Sequence, residues 1–80
     1  MMNNGDSAFT VRVIAGDISK KFLVTADEGL TVADMLRKAD VEYRSFDDLD
    51  VSMDSQMVIN PQERVTYKCT IVVLEHSSNG

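Results

Sequence analysis

Apolar and polar residues alternate with a period of two in two consecutive segments near the start of the chain, residues 9–15 and 18–25. This period is typical of β-strands with one buried face. Gly16 and Asp17 stand between the segments, and this pair is typical of a tight turn. The pattern therefore predicts a β-hairpin.

A period close to that of an α-helix follows. Thr31 stands where an N-cap belongs, and Asp34 comes three residues later, which is the arrangement of a capping box. The next apolar residues recur on one helical face: Val32, Met35, Leu36 and Ala39. Cationic residues are favoured in the last turn of a helix, and Arg37 and Lys38 stand there. The spacing predicts a helix over 31–39 that packs this face on a sheet.

The second half of the chain returns to strand-like patterns. A polar and acidic segment, 40–50, comes first, with four candidate anchors in the core: Val41, Tyr43, Phe46 and Leu49. Short strands are predicted over 51–53 and 56–59, with a turn at Asp54 and Ser55, and Pro61 interrupts the pattern. A last strand is predicted over 65–74. Because residues 71–74 are all apolar, we expect this strand to be buried on both faces and to lie in the centre of the sheet.

The order of elements is β-β-α-β-β-β. It predicts an α+β domain of the β-grasp type, a mixed sheet of four to five strands with one helix packed on one face. We place this domain at residues 9–75, between a loose N-terminal tail, 1–8, and a C-terminal tail, 76–80.

Composition and charge narrow the function. The chain has 80 residues, a net charge of −5 and a pI near 4.5. This balance argues against nucleic acid and anionic membranes as ligands, and favours a basic protein partner. No apolar run approaches the roughly 20 residues that span a bilayer, and the first residues lack the features of a secretory signal. We therefore expect a single-domain, monomeric protein of the cytosol.

Candidate catalytic residues are few. Cys69 is the single cysteine, and Lys68 beside it could lower the pKa of the thiol. The alternative is a small residue that begins a strand. His76 is the single histidine and is expected to be solvated. Because the sequence has no Ser/His/Asp set, metal-ligand cluster or Gly-rich phosphate loop, we expect neither enzymatic activity nor a cofactor.

Three further groups have a structural and a functional interpretation. The acidic residues Asp47, Asp48 and Asp50 form a solvated loop or a contact for a basic protein. Lys20 and Lys21 protect an edge strand from aggregation or take part in recognition. The methionines either pack in the core or line an adaptable binding patch: Met35, Met53 and Met57.

The stretch Gly29–Leu36 resembles the pattern Gly-x-Thr-Val-x-Asp-Leu-Leu of the ubiquitin-like sulfur carriers of thiamine and molybdopterin biosynthesis. The resemblance covers most of the chain, roughly 9–80, and implies a β-grasp fold. It also implies that a partner enzyme adenylates Gly80 with ATP, after which sulfur or an amine displaces AMP. Three features depart from the family: Asp54-Ser55 replaces an Asn-Gly turn, Tyr67-Lys68-Cys69 replaces an Asp-Gly-Asp turn before the last strand, and Asn79 replaces the first residue of a terminal Gly-Gly pair.

Three functional hypotheses follow. In the first, the chain is a carrier or modifier activated at Gly80. In the second, it is a non-conjugating interaction domain, an adaptor or inhibitor, which binds a protein through its sheet face or its acidic loop. The third and weakest is an acidic mimic of nucleic acid, for which a charge of −5 is modest.

Overall fold

The structure is a computed structural model and describes residues 8–75. In this range the elements follow one another as β1 (Ala8–Ala15), β2 (Ile18–Thr25), α1 (Val32–Lys38), β3 (Leu49–Met53), β4 (Gln56–Met57) and β5 (Cys69–Glu75). The strands form one mixed sheet in the order β2-β1-β5-β3-β4. β1 and β5 are parallel, and the other neighbours are antiparallel. The predicted α+β β-grasp architecture is confirmed, with β2 at one edge and β5 in the centre.

The hairpin of β1 and β2 has the predicted turn at Gly16 and Asp17. Ala15 is paired with Ile18, and the turn between them places Gly16 at φ 59°, where a residue without Cβ is favoured. Val11 and Val13 are fully buried on one face of β1, which is the inner face of the sheet. Alternation along β1 places Arg12 and Ile14 on the opposite, outer face.

The helix α1 begins with the predicted capping box. The Asp34 backbone N–H donates to Thr31 Oγ1 at 3.1 Å, and the Thr31 N–H donates to Asp34 Oδ2 at 2.9 Å. Hydrogen bonding of the Asp34 carboxyl to the Thr31 backbone N–H, and secondarily to the Thr31 side chain, lowers the pKa of that carboxyl. The apolar face of α1 covers the inner face of the sheet and completes the core, which includes Val32, Met35, Leu36, Val11, Val13, Val51, Ile71 and Val73.

The last strand starts four residues later than predicted. Residues 65–68 are not part of β5; the Val65 N–H donates instead to the Leu30 carbonyl at 2.9 Å, and the Val65 side chain is buried. This segment therefore ties the start of α1 to the core before the chain enters the sheet. The isolated pairing of Thr31 with Arg64 belongs to the same connection.

The prediction that residues 71–74 are buried on both faces is wrong, although the central position of β5 is confirmed. Ile71 and Val73 lie on the inner face and are buried, whereas Leu74 is 61% exposed on the outer face and Val72 is half-buried. Within residues 8–75, α1 covers the inner face alone. Neighbouring strands on both sides, not covering layers on both faces, make β5 central.

Two other predictions need correction. β4 is limited to Gln56–Met57, not 56–59. The Val58 N–H still donates to the Val51 carbonyl and Val58 is buried, whereas Ile59 is exposed. In the acidic segment, Leu49 is buried and Val41 and Phe46 pack against the core, but Tyr43 is exposed. The described part of the chain contains no helix with the length and apolar character needed to cross a membrane.

Candidate functional site

The outer face of the sheet carries an apolar row at its centre. Strand register aligns Ile14 of β1 with Val72 of β5, then with Ser52 of β3 and Met57 of β4. Leu74 lies two residues beyond Val72 and therefore on the same face. Leu74 and Met57 are 61% and 64% exposed. We define the outer apolar row as Ile14, Val72, Leu74 and Met57; among the described residues it has no covering element.

Cations gather at one end of this face. Arg12 and Lys21 are directly opposite one another on β1 and β2, and Arg12 is also paired with Thr70 of β5. Together with Lys68 they line an open depression of about 390 Å³. We call this trio, Arg12, Lys21 and Lys68, the basic end. The depression also contains one acid, Asp54, whose Oδ1 accepts the Thr70 N–H at 2.9 Å.

Acids gather at the other end of the sheet, where β5 finishes. Asp47 and Asp48 lie in the 3₁₀ turn Phe46–Asp48, and Glu75 is paired with Leu49 at the start of β3. With Glu42 they line a depression of about 830 Å³ that contains one cation, Arg44. We define these four carboxylates, Glu42, Asp47, Asp48 and Glu75, as the acidic end. The structure thus brings two of the predicted acidic residues, Asp47 and Asp48, to the end of β5.

Asp50 separates from the other two predicted acids. It lies on β3, where it is paired with Leu74 of β5, so its side chain belongs to the outer face. Its side chain is half-buried. The predicted cluster of Asp47, Asp48 and Asp50 is therefore divided between two surfaces.

Cys69 is a buried residue of the inner face at the start of β5. Burial, and secondarily the Asp54 carboxylate, raise the pKa of the thiol to about 11. The candidate lowering of this pKa by Lys68 is wrong, since desolvation of the thiolate dominates. The environment of Cys69 fits the alternative interpretation, in which it is a small residue that begins the last strand.

The two consecutive lysines of β2 have different surroundings. Lys20 faces inward and its Nζ forms an ion pair with Asp40 Oδ2 at 3.2 Å, whereas Lys21 belongs to the basic end. β2 is an edge strand, so both lysines also stand where they discourage strand pairing with another molecule. Of the methionines, Met35 and Met53 are in the core and Met57 is exposed.

Gly80, Asn79 and His76 lie outside the described residues. Within 8–75, no group of His, Cys, Asp and Glu side chains is arranged to hold a metal ion. The outer apolar row was missed at the level of the sequence. Its signal was present, because Ile14 occupies a polar phase of β1 and Leu74 continues an unbroken apolar run, but the run was interpreted as burial on both faces.

No protein-family model matches the chain, and no curated protein matches it in sequence. Solved structures resemble it in fold. The ubiquitin-like domain of the Arabidopsis thaliana protein At2g32350, solved by solution NMR, has a TM-score of 0.60 and 18% identity over 91% of this chain and 82% of that one.

A second NMR structure of At2g32350, which used evolutionary couplings, gives a TM-score of 0.58 at 18% identity over 90% of each chain. A structure described as molecular mimicry of SUMO that promotes DNA repair has a TM-score of 0.57 and 7% identity over 90% of this chain and 95% of that one. At these identities the similarity concerns the fold alone. The sheet order, the capped helix and these neighbours show that the chain has a ubiquitin-like β-grasp fold.

Proposed function

We propose that this protein is a non-catalytic, ubiquitin-like interaction domain that binds a partner protein through the outer face of its sheet. The observation that carries the proposal is the outer apolar row at the centre of the sheet. Contiguous apolar surface that is rimmed by polar groups is characteristic of protein-binding sites. Here Ser52 lies within the row between Val72 and Met57, Thr70 and Asp50 lie beside it, and charged residues lie at both ends.

The organisation of the row supports binding, since its residues are presented by a rigid element. Val72 and Leu74 belong to the central strand, which is hydrogen-bonded on both sides, and Ile14 belongs to its parallel neighbour. A rigid scaffold lowers the ordering cost of association. A leucine in the centre of such a surface also buries substantial apolar area when a partner covers it.

The test compares two aspartate substitutions of exposed leucines on the outer face. Leu74→Asp changes the outer apolar row, whereas Leu23→Asp changes a leucine on β2 that is 74% exposed, against 61% for Leu74, at the opposite corner of the sheet. Affinity purification from the source cell with quantitative mass spectrometry should show partners that are lost with Leu74→Asp and retained with Leu23→Asp. An identical set of partners for wild type and Leu74→Asp would contradict the proposal.

A second candidate, a carrier or modifier activated at Gly80, is favoured by one observation. β5 ends at Glu75, which lines the acidic end together with Glu42, Asp47 and Asp48. In this proposal the acidic end docks on a basic surface of an adenylating enzyme. The Gly80 carboxylate attacks the α-phosphate of ATP and releases pyrophosphate, and a sulfur or amine nucleophile then displaces AMP.

Intact mass after incubation with cell lysate and ATP tests this candidate. The expected result is a mass gain from exchange of oxygen for sulfur, or a ladder of conjugates, in the chain that ends at Gly80. The matched control lacks Gly80. Identical spectra for the two chains would exclude activation at this residue under those conditions, and would leave the interaction domain as the function.

A further inference from the structure

The basic end is unusual in a chain with thirteen acidic and eight basic residues. Within residues 8–75, the ion pairs are Lys20 with Asp40 and Arg37 with Asp34, and neither includes Arg12, Lys21 or Lys68. Three cations therefore share one depression without an ion-pair partner in the described part of the protein. The local field is positive although the molecule as a whole is negative.

Arg12 and Lys21 also face one another across β1 and β2. Like charges at directly opposed positions of an antiparallel pair destabilise a sheet. The nearby carboxylate, Asp54, is held by the Thr70 N–H on the far side of β5. Repulsion between these cations therefore destabilises the isolated domain, and a bound anion would relieve it.

Protection of the sheet edge explains only part of this group. Lys21 is on the edge strand β2, where a lysine opposes aggregation. Arg12, however, is on β1, which has a neighbour on each side, and Lys68 precedes the central strand. Two of the three cations are thus outside any role in edge protection.

The basic end is continuous with the outer apolar row. Arg12 and Ile14 are successive outer-face residues of β1, as are Thr70, Val72 and Leu74 of β5. Successive residues on one face are about 7 Å apart, so the cations lie about 7 Å from the level of Val72 and about 13 Å from that of Leu74. About two and a half turns of helix, at 5.4 Å a turn, or about four residues of an extended chain span 13 Å.

We propose that the outer face binds an acidic, amphipathic polypeptide segment, with carboxylates on Arg12, Lys21 and Lys68 and apolar side chains on Ile14, Val72 and Leu74. This inference rests on the proposed function and specifies the partner. It reverses the expectation from net charge, since the surface that binds the partner is the basic part of an acidic protein. Charge complementarity at such a surface sets the choice of partner and the orientation of the segment.

The test uses peptide probes and NMR titration of the labelled 80-residue chain. The first probe is a short peptide with a block of glutamates followed by a block of leucines, and the second has glutamine in place of each glutamate. We expect the first to shift the amide signals of Arg12, Thr70 and Val72. Its affinity should exceed that of the glutamine peptide by about 10-fold and should fall as salt is added.

Two exposed substitutions and one control complete the design. Lys21→Glu and Lys68→Glu should each lower the affinity for the glutamate peptide by about 10-fold. Arg44→Glu makes the same change of charge at the acidic end and should leave the affinity unchanged. Lys21→Glu should also raise Tm, because it removes the like-charge pair with Arg12, so its weaker binding cannot result from unfolding.

Each outcome bears on one of the two proposals. Equal affinity for the glutamate and glutamine peptides, with loss of both in Leu74→Asp, would overturn the acidic segment and leave the binding face intact. Unchanged affinity in Leu74→Asp would overturn the binding face itself. Failure of both peptides to bind at millimolar concentration, or stronger binding by inorganic phosphate at the same amides, would also overturn the acidic segment.

Discussion

The inner and outer faces of the central strand β5 carry similar apolar residues, which differ in burial. On β5, Ile71 and Val73 of the inner face are buried under α1, while Val72 and Leu74 of the outer face are half-buried and exposed. β1 shows the same contrast between Val13 and Ile14. Apolar residues on a strand therefore do not define which face is the core. The difference is made by the helix, and the face that the helix leaves uncovered is where a partner can bind.

The largest expected effect comes from truncation of matched residues on the two faces. Ile71→Ala removes a fully buried side chain and should lower the free energy of unfolding by about 2–5 kcal/mol. Leu74→Ala, on the same strand, should change it by less than about 0.5 kcal/mol. Urea denaturation measures both. Similar losses for the two variants would mean that the outer face is covered in the isolated protein.

The second prediction concerns the thiol of the inner face. With the pKa of Cys69 raised from 9.0 to about 11, the thiolate fraction at pH 8 is about 100-fold lower in the folded protein than in the unfolded chain. Alkylation should be slow in buffer and fast in denaturant. Because the folded pKa is the higher one, the contribution to stability is complete below pH 9 and is lost as the pH rises towards 11. Rapid alkylation of the folded protein at pH 8 would place the thiol on an accessible surface.

The third prediction concerns the N-cap of α1, the helix that covers the inner face. Thr31→Ala removes the hydroxyl that accepts the Asp34 N–H and should cost about 0.5–2 kcal/mol in the free energy of unfolding. Thr31→Ser, which keeps the hydroxyl, is the control and should cost less. Thermal unfolding followed by circular dichroism measures both variants, and equal losses would assign the effect to the methyl group and not to the cap.

The capping box also has a pH dependence. Since the pKa of Asp34 is lowered by its bonds with Thr31, its contribution is present above the unfolded value near 3.8 and is lost as the pH falls through the lower folded value. The Asp34→Asn variant should therefore show a weaker loss of stability in acid than the wild type. An unchanged acid profile would show that other carboxylates dominate unfolding at low pH.

The smallest expected change in stability comes from a substitution on the outer face. Lys21→Glu replaces a like-charge pair by an opposite-charge pair with Arg12 and should stabilise the isolated domain by about 0.2–1 kcal/mol at low salt. The gain should decrease as salt is added. Lys20→Glu is the matched control, because it breaks an ion pair with Asp40 and should destabilise. A loss of stability with Lys21→Glu would mean that the lysine has a structural partner.

The sequence was sufficient for the local elements and their order. Alternation in residues 9–15 and 18–25 predicted the hairpin, and Thr31 with Asp34 predicted the start of α1, because these signals act over a few neighbouring residues. It was insufficient at Val65, whose apolar, β-branched character suited a strand. The hydrogen bond between Val65 and Leu30 joins residues that are far apart in the chain, and no local sequence pattern predicts it.

The candidate site shows the same limit. The acidic residues Asp47 and Asp48 were visible as a cluster, but the basic end consists of residues from three separate segments, Arg12, Lys21 and Lys68. Only strand register brings them together, since β1 pairs with β2 on one side and with β5 on the other. The net charge of −5 describes the whole chain and does not indicate this local surplus of positive charge.

By itself, the sequence determined which segments become strands and helix, where the helix is capped and that β5 is strongly apolar. These properties depend on backbone preferences and on side-chain periodicity, which a chain carries locally. The tertiary structure alone decided which apolar face is covered and which charges share a surface. Both depend on the side from which α1 packs and on the order of strands in the sheet, and these are set by contacts between residues far apart in the chain.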